Sequence, residues 1–257
     1  MVLEHKGIPI FYTDTGNGDA IVLLHGFLEN STIWDAYIPT LSIKNRVVCI
    51  DLLGHGDTGC LGYIHNMEDM ADAVKAILSH LEINTAYFFG HSMGGYVALA
   101  FAEKNPNYTK GLCLVNSTAG ADTKEKQLNR DRAINAVKEN HKTFIHLAIS
   151  NLFSPKNRNA FAKEIIATKK EALKTPLQGI IAALEGMKIR KDRHIVLENK
   201  TFKKMMILGK EDPVLNYKTI VDQVENYDVE IIIFPDGHMS FIENKEELLH
   251  KIMYFID

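Results

Sequence analysis

Apolar residues along this chain follow two patterns that alternate from one end to the other. Short, nearly continuous apolar runs are typical of strands covered on both faces, and apolar positions three or four residues apart indicate helices. The strand candidates are residues 20–24, 46–50, 86–89, 111–115, 204–208 and 230–234. The alternation predicts an α/β fold with a mostly parallel central sheet flanked by helices.

Three further segments belong to this predicted core. Residues 2–14 are expected to add an antiparallel hairpin at one edge of the sheet. A helix is predicted over residues 66–81 and another from residue 245 onward. The apolar stripe of the first helix consists of Met67, Met70, Val74, Ile77, Leu78 and Leu81.

Strand-like runs disappear between residues 117 and 192, where helices are predicted over 123–139, 142–152, 156–174 and 177–187. Ser154-Pro155 and Thr175-Pro176 separate the last three, since a residue before proline disfavours helical backbone. The sequence therefore predicts a core domain, residues 1–116 and 193–257, with an all-helical lid, residues 117–192, inserted after the sixth strand. Long insertions at a functional edge usually carry specificity. A helical decoration that never touches substrate would give the same pattern.

Composition and charge narrow the range of partners. The chain has 257 residues, of which 46% are apolar and 24% are charged, and its formal net charge is −3. This charge creates no overall field that would hold nucleic acid or an anionic membrane. We therefore expect a small-molecule substrate, no nucleic-acid or membrane partner, and a monomer or homodimer.

Cysteine usage and the first residues favour a cytoplasmic protein. Cys49, Cys60 and Cys113 show neither a paired motif nor zinc-ligand spacing, so nothing requires an oxidising compartment. The N-terminal residues lack the apolar stretch and cleavage site of a signal peptide. Residues 83–102 carry no formal charge over a length that could span a bilayer. However, the glycine cluster at their centre predicts a strand, a turn and a helix.

That glycine cluster contains the strongest chemical signal. Gly90-His91-Ser92-Met93-Gly94 follows a predicted strand and precedes a helical run, which is the context of a nucleophile elbow. Gly90 and Gly94 are expected there because the turn brings strand and helix backbones together. Ser92 would point outward beside a helix N-terminus, which favours an oxyanion. An ordinary glycine-rich turn is the structural alternative.

A serine nucleophile requires a base and a group that orients the base. In the nucleophile-elbow fold these follow in the order serine, acid, histidine. His238 comes directly after the last strand candidate and is the expected base, whereas His250 falls within the C-terminal helical pattern. Asp212 follows the preceding strand candidate and is the expected acid, with its neighbour Glu211 as a rival.

Two backbone N–H groups are expected to stabilise the oxyanion. One is that of Met93, the residue after the serine, and the other that of Phe27, in the loop after the first buried strand. His25 in the same loop precedes the serine, so we expect it to hold the loop. His55 and His91 are likewise expected to be structural.

These motifs together resemble the α/β-hydrolase superfamily over almost the whole chain. The resemblance is carried by His25-Gly26-Phe27, Asp51-x-x-Gly54-His55-Gly56, Gly90-His91-Ser92-Met93-Gly94-Gly95, Gly209-x-x-Asp212 and Gly237-His238. In that superfamily the residues matching Ser92, Asp212 and His238 form the catalytic triad, and a helical segment occupies the lid position. The motifs are specific for the fold and the triad but not for the substrate.

The resemblance favours hydrolysis of a small carboxylic ester through an acyl-enzyme, with no metal or organic cofactor. Related haloalkane dehalogenases and epoxide hydrolases carry aspartate at the position of Ser92, so those activities are not expected. Two alternatives stay open. One is a triad-dependent lyase or C–C bond hydrolase, similar to the menaquinone-pathway synthase, although His91 departs from the asparagine common in C–C bond hydrolases. The other is a catalytically silent ligand-binding protein.

Several lid residues have alternative roles. In the lyase interpretation Arg130 and Arg132 would bind substrate carboxylates, whereas the mixed charges around them favour a solvated helix face. Four apolar residues either line a pocket or pack the lid onto itself: Phe144, Leu147, Phe153 and Phe161.

Overall fold

An eight-stranded sheet forms the centre of the computed structural model, which describes residues 1–257. The strands are β1 (Val2–His5), β2 (Ile8–Thr15), β3 (Asp19–Leu24), β4 (Asn45–Ile50), β5 (Ala86–His91), β6 (Thr109–Val115), β7 (Lys203–Gly209) and β8 (Glu230–Phe234). Their order is β1-β2-β4-β3-β5-β6-β7-β8. The pairs β1–β2 and β2–β4 are antiparallel and all others are parallel. The predicted mostly parallel sheet with an antiparallel edge hairpin is confirmed.

Ten α-helices and three short 3₁₀ helices surround the sheet. The α-helices are α1 (Ile38–Leu41), α2 (Met67–His80), α3 (Met93–Lys104), α4 (Lys124–Leu152), α5 (Ala162–Ala172), α6 (Leu177–Lys188), α7 (His194–Leu197), α8 (Tyr217–Val224), α9 (Ser240–Glu243) and α10 (Lys245–Ile256). The 3₁₀ helices are Ser31–Trp34, Pro106–Tyr108 and Pro155–Asn157.

The core lies on both faces of the central strands. Every residue of β5 is buried, as a continuous apolar run predicts. The α2 helix begins where the Asn66 side chain accepts a hydrogen bond from the Asp69 N–H at 2.7 Å. The predicted stripe is buried along the helix from Met67 to Leu78.

Buried thiols and the uncharged segment at residues 83–102 belong to this core. Cys49 and Cys113 are fully buried, and burial raises the pKa of the Cys49 thiol to about 12, so it is a poor nucleophile. Residues 83–102 run through β5, the turn and most of α3. None of the ten helices combines the length and the apolar composition needed to cross a bilayer.

The all-helical insertion predicted after the sixth strand consists of α4, α5 and α6. Its base is closed by a hydrogen bond from the Arg193 N–H to Ala119 O at 2.8 Å. The helices predicted over 123–139 and 142–152 are the two halves of α4, and they are separated at Asn140, where the non-helical φ of −156° and ψ of 87° make a kink. Asn140 Oδ1 accepts from the Thr143 N–H at 3.0 Å and caps the second half.

Short elements account for the remaining differences from the prediction. The helix predicted over 156–174 begins only at Ala162, after the 3₁₀ turn at Pro155–Asn157. The Asn157 side chain in this turn donates to Glu243 Oε1 at 3.0 Å. The sequence did not predict α1, α7, α8 and α9, because helices of four to eight residues are too short to show a periodic pattern.

Candidate active site

Ser92 occupies a strained turn between β5 and α3. Its φ of 49° and ψ of −113° lie in a region that a residue with a side chain rarely adopts. The Ser92 N–H donates to Val115 O at 2.9 Å, and the Ser117 hydroxyl donates to Ser92 O at 2.8 Å. The end of β6 therefore holds the turn in place.

Gly90 and Gly94 make this turn possible. A Cβ atom on Gly90 would overlap the backbone of Gly94. A Cβ atom on Gly94 would lie 2.5 Å from Leu24 O and 2.6 Å from His25 O. The two glycines are thus required by the close packing of α3 against β3 and β5, as the elbow motif predicts.

His238 lies in the loop after β8 and reaches the Ser92 side chain. Its Nε2 is 2.9 Å from Ser92 Oγ, within hydrogen-bonding distance. The His238 side chain is only 3% exposed. Its backbone N–H donates to Leu152 O, at the end of α4, at 2.9 Å. In this position the imidazole can accept the hydroxyl proton of Ser92.

Asp212 lies in the loop after β7 and holds the other side of the imidazole. His238 Nδ1 is 2.7 Å from Asp212 Oδ2. The N–H groups of Val214 and Leu215 donate to Asp212 Oδ1 at 2.8 and 3.0 Å. Burial alone would raise the pKa of Asp212, but His238 and these N–H groups bring it below its ordinary value. The carboxylate therefore stays charged and fixes the tautomer in which Nδ1 carries the proton.

The structure separates Asp212 from its sequence neighbour. The Glu211 side chain is 43% exposed and accepts hydrogen bonds from Ser154 Oγ at 2.5 Å and Lys156 Nζ at 3.2 Å. His250, the other downstream histidine, is exposed on α10. Of the two candidate acids, only Asp212 contacts His238.

Phe27 and Met93 offer free backbone N–H groups near Ser92. The Phe27 N–H, in the loop after β3, donates no hydrogen bond within the protein. Met93 is the first residue of α3, so its N–H has no acceptor within the helix. Next to Phe27, Leu28 has a φ of 63°, which marks the loop as strained. Two such N–H groups are what an oxyanion requires.

A buried chain of hydrogen bonds behind the site was not foreseen from the sequence. Glu29 Oε2 accepts from the Gly26 N–H at 2.6 Å and lies 2.9 Å from His91 Nδ1. His91 Nε2 lies 2.9 Å from His238 O. Both ring nitrogens of His91 therefore face oxygen acceptors, which requires a proton on each nitrogen and makes Glu29 the counter-ion.

The pKa shifts of this pair agree with that assignment. Burial works against the charge of His91, but the Glu29 carboxylate raises the pKa of the imidazole above its ordinary value. Burial would raise the pKa of Glu29, but His91 and the Gly26 N–H lower it. The loop of Phe27, the residue before Ser92 and the loop of His238 are thus joined by one buried chain of hydrogen bonds.

Asn116 is a second group that the sequence analysis missed. Its Nδ2 donates to Asp212 Oδ2 at 3.1 Å and to Gly237 O at 3.2 Å. A polar residue directly after β6 stands at the sheet edge where site residues collect. That position is the signal that could have identified it.

Glu243 ties the insertion to the loop of His238. Its Oε1 accepts from the Ser154 N–H and from Asn157 Nδ2, both at 3.0 Å. Its Oε2 accepts from the Met239 N–H at 3.3 Å. Nothing in the local sequence marks Glu243, because its insertion partners lie 89 and 86 residues away.

A cavity of about 430 Å³ opens over Ser92 and His238. Its walls come from the loop after β3, from α4 and α6, and from the segment following Asp212. The apolar lining includes Phe27, Ala133, Leu152, Leu184, Met187 and Leu215. Because two helices of the insertion contribute to the walls, the insertion covers the site.

The four apolar residues of the insertion that were expected either to line a pocket or to pack the insertion onto itself have different positions. Phe144 lines the cavity. Phe153 and Phe161 lie against each other, with ring centroids 6.4 Å apart, and Leu147 is exposed. Only the first of the four therefore belongs to the site.

The cavity is polar where α4 begins. Asp122, Lys126, Asn129 and Arg130 line this end. Arg132 lies outside the cavity, where its Nη1 donates to Asn129 Oδ1 at 2.9 Å. Two residues rotate a helix by about 200°, so only one of the two arginines faces the cavity.

Comparison with known proteins agrees with this geometry. A family model described as alpha/beta hydrolase fold matches residues 19–245. Among solved structures, a thermophilic esterase from Thermogutta terrifontis, with malate bound, superposes with a TM-score of 0.91 at 28% identity. That superposition covers 99% of this chain and 96% of the esterase.

Curated relatives match over shorter shares of their own length. The dihydrolipoyllysine-residue acetyltransferase component of the acetoin cleaving system of Pseudomonas putida is 27% identical over 252 residues, or 93% of this chain and 64% of that protein. The pimeloyl acyl-carrier-protein methyl ester esterase of Sodalis glossinidius is 34% identical over 112 residues, 43% of this chain and 42% of that protein. The chain therefore spans less than two thirds of these relatives.

Proposed function

The chain belongs to the α/β-hydrolase fold family, and we propose that it is a serine hydrolase that cleaves a small carboxylic ester. One observation carries the proposal. The hydrogen bonds from Ser92 Oγ to His238 and from His238 to Asp212, at 2.9 and 2.7 Å, form an unbroken relay at the floor of the cavity. The esterases among the similar proteins support an ester as the substrate.

In the acylation half of the reaction, Ser92 Oγ attacks the ester carbonyl carbon while His238 Nε2 takes the hydroxyl proton. The carbonyl oxygen becomes an oxyanion that accepts hydrogen bonds from the N–H groups of Phe27 and Met93. Asp212 stabilises the imidazolium. The C–O bond to the alcohol then breaks, and His238 gives its proton to the departing alkoxide, which leaves the acyl group on Ser92.

Water completes the cycle by the same route. His238 removes a proton from a water molecule, whose oxygen attacks the acyl carbon and forms a second oxyanion. When the bond to Ser92 Oγ breaks, the serine recovers the proton from His238 and the carboxylic acid leaves. Every proton in this scheme passes through His238 Nε2, so the scheme requires neither a metal nor an organic cofactor.

A fluorophosphonate probe combined with a chain-length series of 4-nitrophenyl esters tests the proposal. We expect the wild type to be labelled and to hydrolyse short esters. Ser92→Ala should lose both the labelling and the hydrolysis while its circular dichroism spectrum is unchanged.

Other outcomes lead elsewhere. Absence of labelling of the wild type would contradict the nucleophile and favour a ligand-binding protein. Labelling of Ser92 with refusal of every ester would contradict the ester substrate and favour a lyase or a C–C bond hydrolase.

A further inference from the structure

The polar end of the cavity is built around one buried carboxylate. Asp122 is fully buried at its side chain, and Arg190 Nη1 donates to its Oδ1 at 2.5 Å. Arg130 Nε donates to Oδ2 at 3.1 Å. The Arg190 guanidinium also lies over the Tyr96 ring, 4.1 Å from its centroid. Both oxygens of Asp122 are therefore occupied by guanidinium groups.

Lys126 adds a third cation that has no anionic partner. It lies between Asp122 and Arg130 in the sequence, one helical turn before the arginine, and all three line the cavity. Its ammonium makes no ion pair or hydrogen bond with the protein, and its side chain is half-buried. The pKa of Lys126 is lowered mainly by burial, and the positive charge of Arg190 lowers it further. Like charges one helical turn apart destabilise each other, so the protein alone does not balance this cluster.

Other acidic groups near the cavity are already engaged. Glu29 is bound to His91 and Asp212 to His238. Asp131, on the same helix, pairs with Lys188 at 2.7 Å outside the cavity. Lys126 and Arg130 thus line the chamber that contains Ser92, and the one carboxylate beside them, Asp122, is already bound by Arg130 and Arg190. An anion entering from solution would find Lys126 Nζ and both terminal nitrogens of Arg130 without protein acceptors.

We propose that the substrate is an ester that carries a carboxylate, and that this carboxylate binds to Lys126 and Arg130 while the ester carbonyl lies at Ser92. This inference rests on the proposed ester hydrolysis and names its substrate class. The terminal edge of a guanidinium matches a planar carboxylate through two parallel hydrogen bonds. The apolar walls formed by Phe144, Leu184 and Met187 would cover the carbon chain between the two groups.

The carboxylate could belong to the acyl half or to the alcohol half of the ester, and two pairs of substrates separate these cases. For the acyl half, the mono-4-nitrophenyl ester of adipic acid is compared with the same ester of adipamic acid, which has a neutral amide in place of the carboxylate. For the alcohol half, 4-acetoxybenzoate is compared with 4-acetoxybenzamide. We expect the carboxylate of one pair to have a KM about tenfold lower than its amide, as charge-assisted hydrogen bonds allow.

Variants of α4 assign the preference to the proposed residues. In Lys126→Gln and in Arg130→Gln, the ratio of the two KM values in the favoured pair should fall toward one. Arg132→Gln is the matched control, because it removes the same charge from the solvent face of the same helix and should keep the wild-type ratio. If Arg130→Gln fails to fold because Asp122 Oδ2 loses its hydrogen-bond partner, Lys126→Gln still decides the test.

Protection of Ser92 from a fluorophosphonate gives a readout that requires no turnover. We expect adipate to slow labelling at about one tenth of the concentration that adipamide requires. Equal protection by the two compounds, equal KM values in both pairs, or a loss of preference in Arg132→Gln as large as in Lys126→Gln would overturn the inference.

Failure of the inference and failure of the proposed function are distinguishable. Cleavage of all four esters without a preference for the carboxylates would overturn the inference and leave ester hydrolysis standing. Refusal of all four esters with preferential protection by adipate would contradict ester hydrolysis and support the anion site.

Discussion

Asp212 is an example of one side chain whose two oxygens do different work. Asp212 Oδ2 accepts the hydrogen bond from His238 Nδ1 at 2.7 Å, and Oδ1 accepts from the N–H groups of Val214 and Leu215. An asparagine would keep the shape of this arrangement but would present a neutral amide to the imidazole. The histidine would then lose the charge that stabilises its protonated form.

Asp212→Asn should therefore lower kcat by about 10⁴-fold while leaving the fold intact. Ester hydrolysis and thermal unfolding measured on the same preparation check both parts. Glu211→Gln serves as the control and should turn over like the wild type, since Glu211 contacts the insertion and not the base. The reverse result, a near-normal rate for Asp212→Asn and a slow Glu211→Gln, would reassign the acid.

The Glu29–His91 pair predicts a large loss of stability from a small change. Glu29→Gln leaves a buried imidazolium without its counter-ion, which should reduce the free energy of unfolding by about 3–5 kcal/mol. Urea unfolding measures the loss, and Glu4→Gln, at an exposed position, should cost less than about 0.5 kcal/mol. A difference of that small size for Glu29→Gln would mean that His91 is neutral.

The Glu29–His91 pair also determines how the loss of stability in Glu29→Gln should depend on pH. The pKa of His91 is raised, so its contribution is complete below the unfolded value of about 6.5 and disappears as the pH rises through the folded pKa. The pKa of Glu29 is lowered, so its contribution disappears only in acid. The difference in unfolding free energy between wild type and Glu29→Gln should thus be widest between the unfolded pKa values of the two groups, about 4.5 and about 6.5, and should narrow as the pH rises through the folded pKa of His91. A gap that widens with pH would have the wrong sign.

At the scale of elements, α3 is packed so closely that one methyl group should disturb the site. In Gly94→Ala the new Cβ would meet the carbonyl oxygens of Leu24 and His25, which lead into the loop of Phe27. We expect a loss of about 1–3 kcal/mol in unfolding free energy, together with most of the esterase activity. Gly120→Ala, whose Cβ would meet nothing closer than 3.5 Å, should change neither.

Local sequence patterns predicted the sheet and the three residues of the relay, with Glu211 left as a rival of Asp212. A buried strand, a glycine-flanked serine and polar residues directly after strands are all signals contained in a few neighbouring residues. Ser92, Asp212 and His238 could therefore be named from the sequence. The antiparallel hairpin at the edge of the sheet agrees with the same reasoning, whereas the order of the strands was not predicted.

Contacts between residues far apart in the sequence could not be predicted from local sequence patterns. Glu29 meets His91 across 62 residues, and His91 meets His238 across 147. Which charged residues of α4 face the cavity depends on how the helix is rotated about its axis. A segment of mixed charge does not determine this rotation, so the sequence alone could not separate Arg130 from Arg132. Asn140 is different, because the break between the two helical halves of α4 is local and was predicted from the sequence.

At the scale of the whole molecule, the insertion and the core share the loop that carries His238. Glu243 receives hydrogen bonds from Ser154 and Asn157 of the insertion and from Met239 of the core. The position of the base therefore depends on the position of the insertion. Loosening one should loosen the other.

Glu243→Ala should raise the hydrogen-exchange rates of the Ser154, His238 and Met239 amides and lower kcat. Global unfolding should change less than this local exchange, since the sheet is untouched. Glu139→Ala, at an exposed position on α4, provides the comparison. Unchanged exchange at His238 would show that the base loop holds itself without the insertion.

The anchoring of α4 also limits how a substrate can arrive. Near its start, Asp122 is held by Arg190 and Arg130, and at its end Leu152 O is held by the His238 N–H. A swing of α4 alone about its end would separate Asp122 from Arg190, and a swing about its start would break the hydrogen bond with the loop that carries His238. We therefore expect a bulky substrate to enter by bending α4 at Asn140, where the backbone already departs from helical geometry, while both ends of the helix keep their contacts.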